Sequence, residues 1–469
     1  MKNDFSYSTY LSPFTTRYGS EEMRRIWSEE YKRVIWRKVW VALAKAEAKA
    51  GLVSKEELAD IIRHQNYIDI PRAKEIEKEI YHELMAEIKT FSEQCKVGGG
   101  KIHLGATSTD ILDNTTILQI QESLQMIKQN LKELLLLFSQ KIEEYQNLVC
   151  MGYTHIQPAE PTTLGYRLSF YAQDLLMDLQ VLEKVEPFLK GKGIKGAVGT
   201  SASYKYLLEG AQLDAFDLEK KVMQELGIDA VNISNQTYPR KIDLLVIEVL
   251  ANIASSLHKF SFDYRIMQSP AVGEWMEKRD EKRVGSSAMP FKRNPDKAEK
   301  VCSLARYVSS LLPVAWSNPA MSLLERTLDD SASQRIFLPE SFLAIDECLH
   351  ATNYLLNNLI INNVTITKNL STYGVFSGIE PLLMALTKKG ASRQQAHDVL
   401  KKHSMVAWGE IEKGNKNNLL DLLLKDPLVQ QRMNSEEIKR NFTWENHTGI
   451  AKKQTTIFLK NLRKYFAKL

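Results

Sequence analysis

The feature that most constrains the fold is a long seam of apolar residues in the first third of the chain. The seam recurs at alternating spacings of three and four residues: Ile117, Ile120, Leu124, Ile127, Leu131, Leu134 and Phe138. Because an α-helix makes one turn every 3.6 residues, this spacing places all seven side chains on one helical face. The seam therefore predicts one long helix that buries this face.

The same spacing returns in four later segments. They are Leu168, Ala172, Leu175, Leu179 and Leu182; Val246, Val249, Ile253 and Leu257; Val301, Leu304, Val308 and Leu311; and Phe342, Ile345, Leu349, Thr352, Leu356 and Leu359. Five such helices, joined by loops that carry glycine and proline, predict an all-α protein with an elongated central five-helix bundle. Since seams of this length bury more surface than one neighbour covers, we expect the bundle to pack into a multi-subunit helical core.

The length of the chain sets the number of domains. A chain of 469 residues exceeds one compact core, because domains usually contain roughly 100 to 200 residues. We expect three helical domains: 1–108, the central bundle 109–362, and 363–469. The run Asn362-Asn363-Val364-Thr365 marks the start of the third.

Charge and cysteine usage exclude several classes of function. The formal net charge is +5, with 62 basic residues dispersed among 57 acidic ones, which suits a small anionic molecule better than a nucleic acid. The chain starts with a polar segment and holds no apolar run of membrane-spanning length, so we expect no membrane partner and a cytoplasmic location. The four cysteines form no CxxC pair, which predicts buried reduced thiols and no metal site.

Two polar segments that precede long helices offer candidate side chains. Thr107 and Ser108 lie where the first long helix is expected to start, and helix N-termini attract carboxylate or phosphate. The alternative is capping alone, by Ser108 or Asp110. His155 lies in a proline-bounded loop, where an imidazole can donate a proton near neutral pH. A lone histidine is also commonly structural.

A third segment, Lys195 to Ser201, offers small residues and backbone donors but is equally plausible as a turn.

The segment Gly285 to Pro295, with the sequence GSSAMPFKRNP, is hard to explain structurally. Removing a proton from carbon beside a carboxylate creates a doubly charged aci-carboxylate, which cations and fixed donors must stabilise. Lys292 and Asn294 can supply that stabilisation. A serine here acts as a base only if the same positive field lowers its pKa. A solvated basic turn would explain the cations but not the serine pair.

The fifth polar segment has the sequence ERTLDDS and ends at Ser331. Arg326, Ser331 and Arg335 together form a candidate phosphate clamp, because guanidinium groups bind phosphate oxygens in pairs. The alternative is surface ion pairing with Asp329 and Asp330.

In this order, these segments resemble the fumarase/aspartase superfamily over nearly the whole chain. GSSAMPFKRNP matches the signature of that superfamily. Within it, the adenylosuccinate lyases are the most similar, on Arg17-Tyr18, on His82 in YHELMAEIK, on Gln236 in NQTYPRK, and on ERTLDDS followed by Arg335.

The resemblance implies a reaction and an assembly. The reaction is release of fumarate from adenylosuccinate to give AMP, and from succinylaminoimidazole carboxamide ribotide, without a cofactor. Members are homotetramers whose active sites combine loops from three subunits. The alternatives are argininosuccinate lyase, against which ERTLDDS argues, and a catalytically silent homologue, against which the retained His155 and Ser286 argue.

The resemblance also implies roles for individual residues. Ser286 would be the base that removes the succinyl Cβ proton, although its neighbour Ser287 is not excluded. His155 would protonate the departing nitrogen, and His82 would assist it or orient the succinyl group. The binding residues fall into two groups: Thr107, Ser108, Gln236, Lys292 and Asn294 for the succinyl carboxylates, and Arg17, Tyr18, Arg326, Ser331 and Arg335 for the nucleotide.

Two candidate binding positions depart from the family pattern. Lys300 stands where some relatives have arginine, so that any contact with phosphate or base becomes monodentate. Glu83 replaces the more common aspartate after His82, and its longer side chain leaves the position of the carboxylate open.

Overall fold

The computed structural model describes residues 8–278, 287–289 and 291–467. The chain divides into two compact units. The first comprises Met1–Lys132, Met177–Leu257 and Ser303–His350, and the second comprises Glu133–Leu176, His258–Cys302 and Ala351–Leu469. The division into three helical domains, with boundaries after residues 108 and 362, stays a prediction.

Helices dominate the described residues, as predicted for an all-α protein. In chain order the α-helices are α1 Glu21–Ile26, α2 Glu29–Lys49, α3 Lys55–His64, α4 Ile70–Ile80, α5 Glu83–Gln94, α6 Ser108–Glu144, α7 Leu164–Val185, α8 Ala202–Leu207, α9 Ala215–Leu226, α10 Lys241–Gln268, α11 Asp296–Ser310, α12 Leu312–Ala320, α13 Asp329–Asn357, α14 Asn363–Tyr373, α15 Ile379–Lys388, α16 Arg393–Glu412, α17 Leu419–Leu424, α18 Pro427–Gln430, α19 Ser435–Arg440 and α20 Ala451–Phe466. Short 3₁₀ helices are Pro13–Thr15, Gly99–Lys101, Glu186–Phe188, Gly374–Gly378 and Trp444–His447.

Four short strands form two antiparallel pairs in the described chain. They are β1 Val149–Thr154, β2 Gln157–Thr163, β3 Trp275–Glu277 and β4 Leu359–Ile361. β1 pairs with β2, and β3 pairs with β4. Both pairs belong to the second unit.

The five predicted long helices correspond to α6, α7, α10, α11 and α13, and their seams are buried. Every seam residue of α6 is at most 2% exposed, over a helix of 37 residues. Leu311 differs, because Pro313 has no N–H to donate, so that α11 ends at Ser310, a new helix starts at Leu312, and Leu311 is only partly buried. Leu359 is buried as expected, but it lies in β4 rather than in a helix.

The core of the second unit is rich in aromatic rings. Phe260 contacts Phe138 and Tyr171 edge to face, with ring centroids 5.4 and 5.3 Å apart. Trp275 of β3 lies 5.7 Å from Tyr264. Edge-to-face pairs add stabilisation beyond burial alone, on the order of 1 kcal/mol each. This packing fixes β3 against α10.

Among the described residues, α10 is the one helix long and apolar enough to cross a membrane by length and composition. Within the protein, 56% of its most apolar stretch of 18 residues is buried. Its seam residues Val246, Val249, Ile253 and Leu257 are all at most 2% exposed. Core packing therefore accounts for its apolar character.

The cysteines are buried, as predicted. Cys95, Cys150, Cys302 and Cys348 all lie within the described ranges, and none of them forms a disulfide there. Burial raises the pKa of Cys95 to about 12 and that of Cys150 to about 11. Both thiols therefore stay protonated and unreactive near neutral pH.

Glu47 of α2 is a buried carboxyl group in the first unit. It is 0% exposed, and in the described part of the chain neither carboxyl oxygen has a hydrogen-bond partner. Burial raises its pKa from 4.5 to about 8, and Lys101 offsets this only in part. The folded chain thus holds a proton that the unfolded chain releases near pH 4.5, so the stability contribution is lost as pH rises from about 4.5 to 8.

We expect Glu47→Gln to remove this pH dependence. Between pH 5 and pH 8 the free energy of unfolding of the unsubstituted protein should fall by up to about 1.4 kcal/mol per pH unit more than that of the variant. Urea unfolding at several pH values measures the difference. Exposed Glu79 offers the matched control Glu79→Gln, and equal slopes for the Glu47 variant and the unsubstituted protein would refute the buried proton.

Candidate active site

His155 lies at the tip of the hairpin formed by β1 and β2. Thr154 pairs with Gln157, so the turn consists of His155 and Ile156 alone, with φ of 53° and 61°. Two positive φ values define a type I′ turn, which normally uses Asn-Gly. A β-branched residue is strained in this conformation, and such strain clusters at functional sites. The turn exposes His155 at the end of a two-stranded support.

The hairpin replaces the proline-bounded loop expected from the sequence. Pro158 and Pro161 lie within β2, paired with Tyr153 and Met151. Proline is tolerated in a strand whose N–H side is unpaired, and β2 is an edge strand with β1 as its one partner. The prolines therefore shape the strand instead of breaking it.

Buried Glu274 anchors the hairpin within the second unit. Its carboxylate accepts hydrogen bonds from Tyr153 Oη at 3.3 Å and from Asn369 Nδ2 at 3.0 Å, and Arg167 lies 3.5 Å away. Arg167 also donates to the carbonyl of Met151 at 2.5 Å. Glu274, Arg167 and Asn369 were missed by sequence reasoning, because no motif surrounds them.

Only part of the GSSAMPFKRNP segment can be located. Gly285, Ser286 and Pro290 lie outside the described residues. Ser287 is exposed, and the N–H of Lys292 donates to the carbonyl of Met289 at 3.0 Å. Lys292 is exposed, Asn294 is half-buried just before α11, and Lys300 is half-buried in the second turn of α11.

In the first unit, Thr107 and Ser108 lie at the N-terminus of α6, as predicted. Asp110 supplies the expected cap, since its carboxylate accepts from the N–H of Thr107 at 3.0 Å. It also accepts from Lys192 Nζ at 2.6 Å and from the N–H groups of Lys195 and Gly196. The buried Asp110 thus joins the predicted first segment to the Lys195–Ser201 segment.

Gln236 joins the start of α6 to the ERTLDDS segment. Its carbonyl accepts from Thr109 Oγ1 at 2.5 Å, and its N–H donates to the carbonyl of Glu325 at 3.1 Å. Two predicted anion-binding segments and Gln236 are therefore neighbours in one unit.

The candidate clamp residues lie at and beyond the start of α13. Arg326 Nη1 donates to Asp330 at 2.7 Å, so the ion pair weighed as an alternative is present. Ser331 is half-buried in the first helical turn. Arg335 is exposed and donates to Glu83 at 3.0 Å. The predicted clamp arginines are thus paired with carboxylates in this structure.

His82 and Glu83 lie at the start of α5. His82 is exposed and caps the helix, with Nδ1 accepting from the N–H of Met85 at 3.2 Å. Burial alone would raise the pKa of Glu83, but Lys32, Arg335 and Arg33 together lower it below its usual value. Glu83 therefore stays charged and holds Arg335.

A second histidine in this region was not singled out from the sequence. His103 has φ of 68°, and its Nδ1 accepts from Trp40 Nε1 at 3.1 Å. Burial lowers its pKa to about 4, an effect that nearby Asp110 opposes. His103 is therefore neutral near pH 7, and it lies within the 102–110 segment.

Arg17 and Tyr18 follow the first 3₁₀ helix. Arg17 is exposed, and Tyr18 is half-buried with its ring edge-on to Phe14 at 5.7 Å. The N–H groups of both residues donate to the carbonyl of Pro13.

Asp60, His64 and Cys95 form one group of metal-capable side chains in the described chain, with ligand atoms within 4.8 Å of one another. Their atoms already have protein partners. One carboxyl oxygen of Asp60 accepts from the N–H groups of Val97 and Gly98, and His64 Nδ1 bonds the carbonyl of Asp60 at 2.9 Å. These hydrogen bonds explain the three side chains as part of the structure around the end of α3.

Two family models match the chain. The lyase model matches residues 10–309, and the model of the adenylosuccinate lyase C-terminus matches residues 379–458. Similar curated proteins include the adenylosuccinate lyases of Schistosoma mansoni, 36% identical over 90% of this chain and 88% of that protein, and of Archaeoglobus fulgidus, 36% identical over 95% and 97%. The Saccharomyces cerevisiae adenylosuccinate lyase is 35% identical over 90% and 88%.

Solved structures share the fold. A fumarate lyase from Mesorhizobium sp. BNC1 aligns with a TM-score of 0.82 at 22% identity, over 96% of this chain and 99% of that one. The 3-carboxy-cis,cis-muconate lactonizing enzyme from Pseudomonas putida aligns with a TM-score of 0.84 at 23% identity, over 97% and 99%. At these identities the likeness establishes the fold alone.

Proposed function

The chain belongs to the adenylosuccinate lyases of the lyase family, and on that premise we propose that it cleaves adenylosuccinate to AMP and fumarate. The observation that carries the proposal is the position of Gln236. Its main chain is bonded to the two segments that the sequence predicts to bind anions, one at the start of α6 and one before α13. A substrate with carboxylates at one end and a phosphate at the other requires two such segments.

The chemical step needs a base, an acid and a stabiliser of charge. Ser286 takes the proton from the succinyl Cβ, and the electrons of that bond form the double bond of fumarate while the C–N bond breaks. His155 gives its proton to the departing nitrogen. Lys292, Asn294 and the N-terminus of α6 stabilise the charge that builds on the carboxylates. No step in this sequence calls on a cofactor.

The nucleotide end of the substrate meets the start of α13. Arg326 and Arg335 offer guanidinium groups, and the hydroxyl group of Ser331 adds a further donor. Arg17 and Tyr18 complete this group. The phosphate competes with Asp330 and Glu83 for the two arginines, and a dianion outcompetes a single carboxylate.

The proposal includes a homotetramer and a cytoplasmic location. An apolar stripe on α7 remains exposed in the single chain: Tyr166, Phe170, Met177 and Val181. Their spacing places them on one helical face, and such a face in a monomer marks an interaction surface. We expect sedimentation equilibrium to give about four times the chain mass of 53.6 kDa, and a monomeric mass would overturn this part of the proposal.

The activity is tested with purified protein and adenylosuccinate, with AMP and fumarate separated by chromatography. A second arm uses succinylaminoimidazole carboxamide ribotide, which we expect to be cleaved in the same way. A third arm uses argininosuccinate, which we expect to stay intact. Absence of AMP at high enzyme concentration would refute the function, and cleavage in the third arm alone would favour the argininosuccinate alternative.

A further inference from the structure

Arg240 is a buried arginine that bridges two carboxylates in the first unit. Its side chain is 5% exposed. Its Nη1 and Nη2 donate to both oxygens of Asp113 at 3.2 Å, and its Nε donates to Asp330 Oδ2 at 2.5 Å. The guanidinium also lies over the ring of Tyr238, 4.4 Å from the centroid. Asp113 belongs to α6 and Asp330 to α13, so Arg240 ties both helices to its own segment.

Asp330 is shared between two arginines. Its Oδ2 is held by Arg240, while its Oδ1 accepts from Arg326 Nη1 at 2.7 Å. Asp330 is 2% exposed, whereas the side chain of Arg326 is 20% exposed. The inner arginine is thus enclosed by protein, and the outer one reaches solvent.

The side chain of Arg326 has N–H donors that are not used in hydrogen bonds among the described residues. In the part of the chain that the structure describes, its Nε is buried without a hydrogen-bond partner. Among the described residues, its side chain donates one hydrogen bond, from Nη1 to Asp330. Since a guanidinium carries five N–H donors in a planar fork, an anion can bind here without the loss of every existing bond.

We propose that Arg240 is a positioning residue, which fixes Asp330 so that Asp330 presents Arg326 to the phosphate of the nucleotide. The inference rests on the proposed function and goes beyond it, because Arg240 itself is buried and does not contact the substrate. Asp330 sets the direction of the Arg326 fork, and Arg240 sets the position of Asp330.

The charges of the network explain why the inner arginine is needed. Two carboxylates, Asp113 and Asp330, are hydrogen-bonded to the two arginines, and Asp243 adds to the negative field at Arg240. Burial alone would lower the pKa of Arg240, but the surrounding acidic groups raise it well above its usual value, which keeps it charged. When a phosphate draws Arg326 outward, Arg240 still compensates Asp330. Without Arg240, the buried Asp330 would retain Arg326 and repel the phosphate.

Arg240→Lys tests the proposal, because it keeps the charge but cannot bridge two carboxylates with a planar fork. We expect KM for adenylosuccinate and the inhibition constant of AMP each to rise about tenfold or more, while kcat at saturation changes less than about threefold. A rise in KM and in the inhibition constant of AMP without a loss of kcat identifies a role in placing the phosphate. A general loss of structure would lower kcat as well.

Arg37→Lys is the matched control. Arg37 is buried as well, but its Nε and Nη2 both donate to a single carboxylate, that of Glu87. The side-chain hydrogen bonds of Arg37 go to Glu87, Gln94 and the carbonyls of His64 and Tyr67, which lie outside the Arg240 network. We expect a comparable drop in melting temperature in both lysine variants, but unchanged AMP inhibition in the Arg37 variant.

A double-mutant cycle tests whether Arg240 acts through Asp330. If it does, the inhibition constant of AMP in the double variant Arg240→Lys/Asp330→Asn rises by much less than the product of the two single effects. Multiplicative effects in this cycle would overturn the coupling. Unchanged AMP inhibition in Arg240→Lys would overturn the positioning role itself.

These outcomes are separable from failure of the proposed function. If the unsubstituted protein neither cleaves adenylosuccinate nor responds to AMP, the proposed function is wrong. If the unsubstituted protein does both and Arg240→Lys behaves like Arg37→Lys, the function stands and the inference about Arg240 is wrong.

Discussion

The variant His155→Ala is expected to lose about 10²- to 10⁴-fold in kcat while adenylosuccinate still binds. The departing nitrogen of the purine is a poor leaving group without a proton, and the imidazole is its donor in the proposed reaction. Steady-state kinetics measure the loss, and AMP inhibition reports whether the nucleotide still binds.

Ile156→Gly is the control for His155→Ala, because it changes the same two-residue turn and keeps the imidazole. Glycine adopts positive φ without strain, so this variant should fold normally and retain most of its activity. Added imidazole should restore part of the activity of His155→Ala but not alter that of the control. Near-normal kcat in His155→Ala would remove the acid role from this residue.

The variant Ser286→Ala is expected to lose about three orders of magnitude or more in kcat, with little change in AMP inhibition. A methyl group cannot accept the Cβ proton, whereas the carboxylate-binding residues stay in place. Single-turnover kinetics with adenylosuccinate measure the chemical step without product release.

Ser287→Ala is the matched control, since the two serines are adjacent and equal in size. If Ser286 is the base, Ser287→Ala keeps kcat within about one order of magnitude. The reverse pattern would move the base to Ser287. Two active variants would exclude a serine base altogether.

The helical framework was predictable because its signal is local. Each apolar seam can be recognised within one continuous segment of the sequence. Its burial can therefore be predicted without knowing which element it packs against. At Leu311 the prediction failed because a local rule intervened, since Pro313 ends the helix. Leu359 kept its burial but changed its secondary structure, because burial alone does not distinguish a helix end from a short strand.

The hairpin that carries His155 could not be predicted in this way. Its turn lacks the Asn-Gly pair that signals a type I′ turn, and prolines within a segment argue against a strand. Pairing with β1 overrides both signals. The strained His155-Ile156 turn is thus a departure from local preference at the position where function was predicted from resemblance.

Pairings between distant residues were equally invisible in the sequence. Glu83 was noted only as a departure from the family pattern, and the structure shows that it holds Arg335, 252 positions away. Asp330 was considered only as a surface partner for arginine, yet it is buried against Arg240. Charge pairs of this kind depend on how helices assemble, which no short motif encodes.

The first turns of α6 also tie together parts of the first unit that lie far apart in the sequence. Asp110 bonds Lys192, 82 residues further along the chain, and Asp113 bonds the N–H of Tyr238, 125 residues further along. Bonds across such separations form late, because the entropy of closing long loops must be overcome first. The start of α6, where an anion is proposed to bind, therefore takes its final form only when distant parts of the chain have come together.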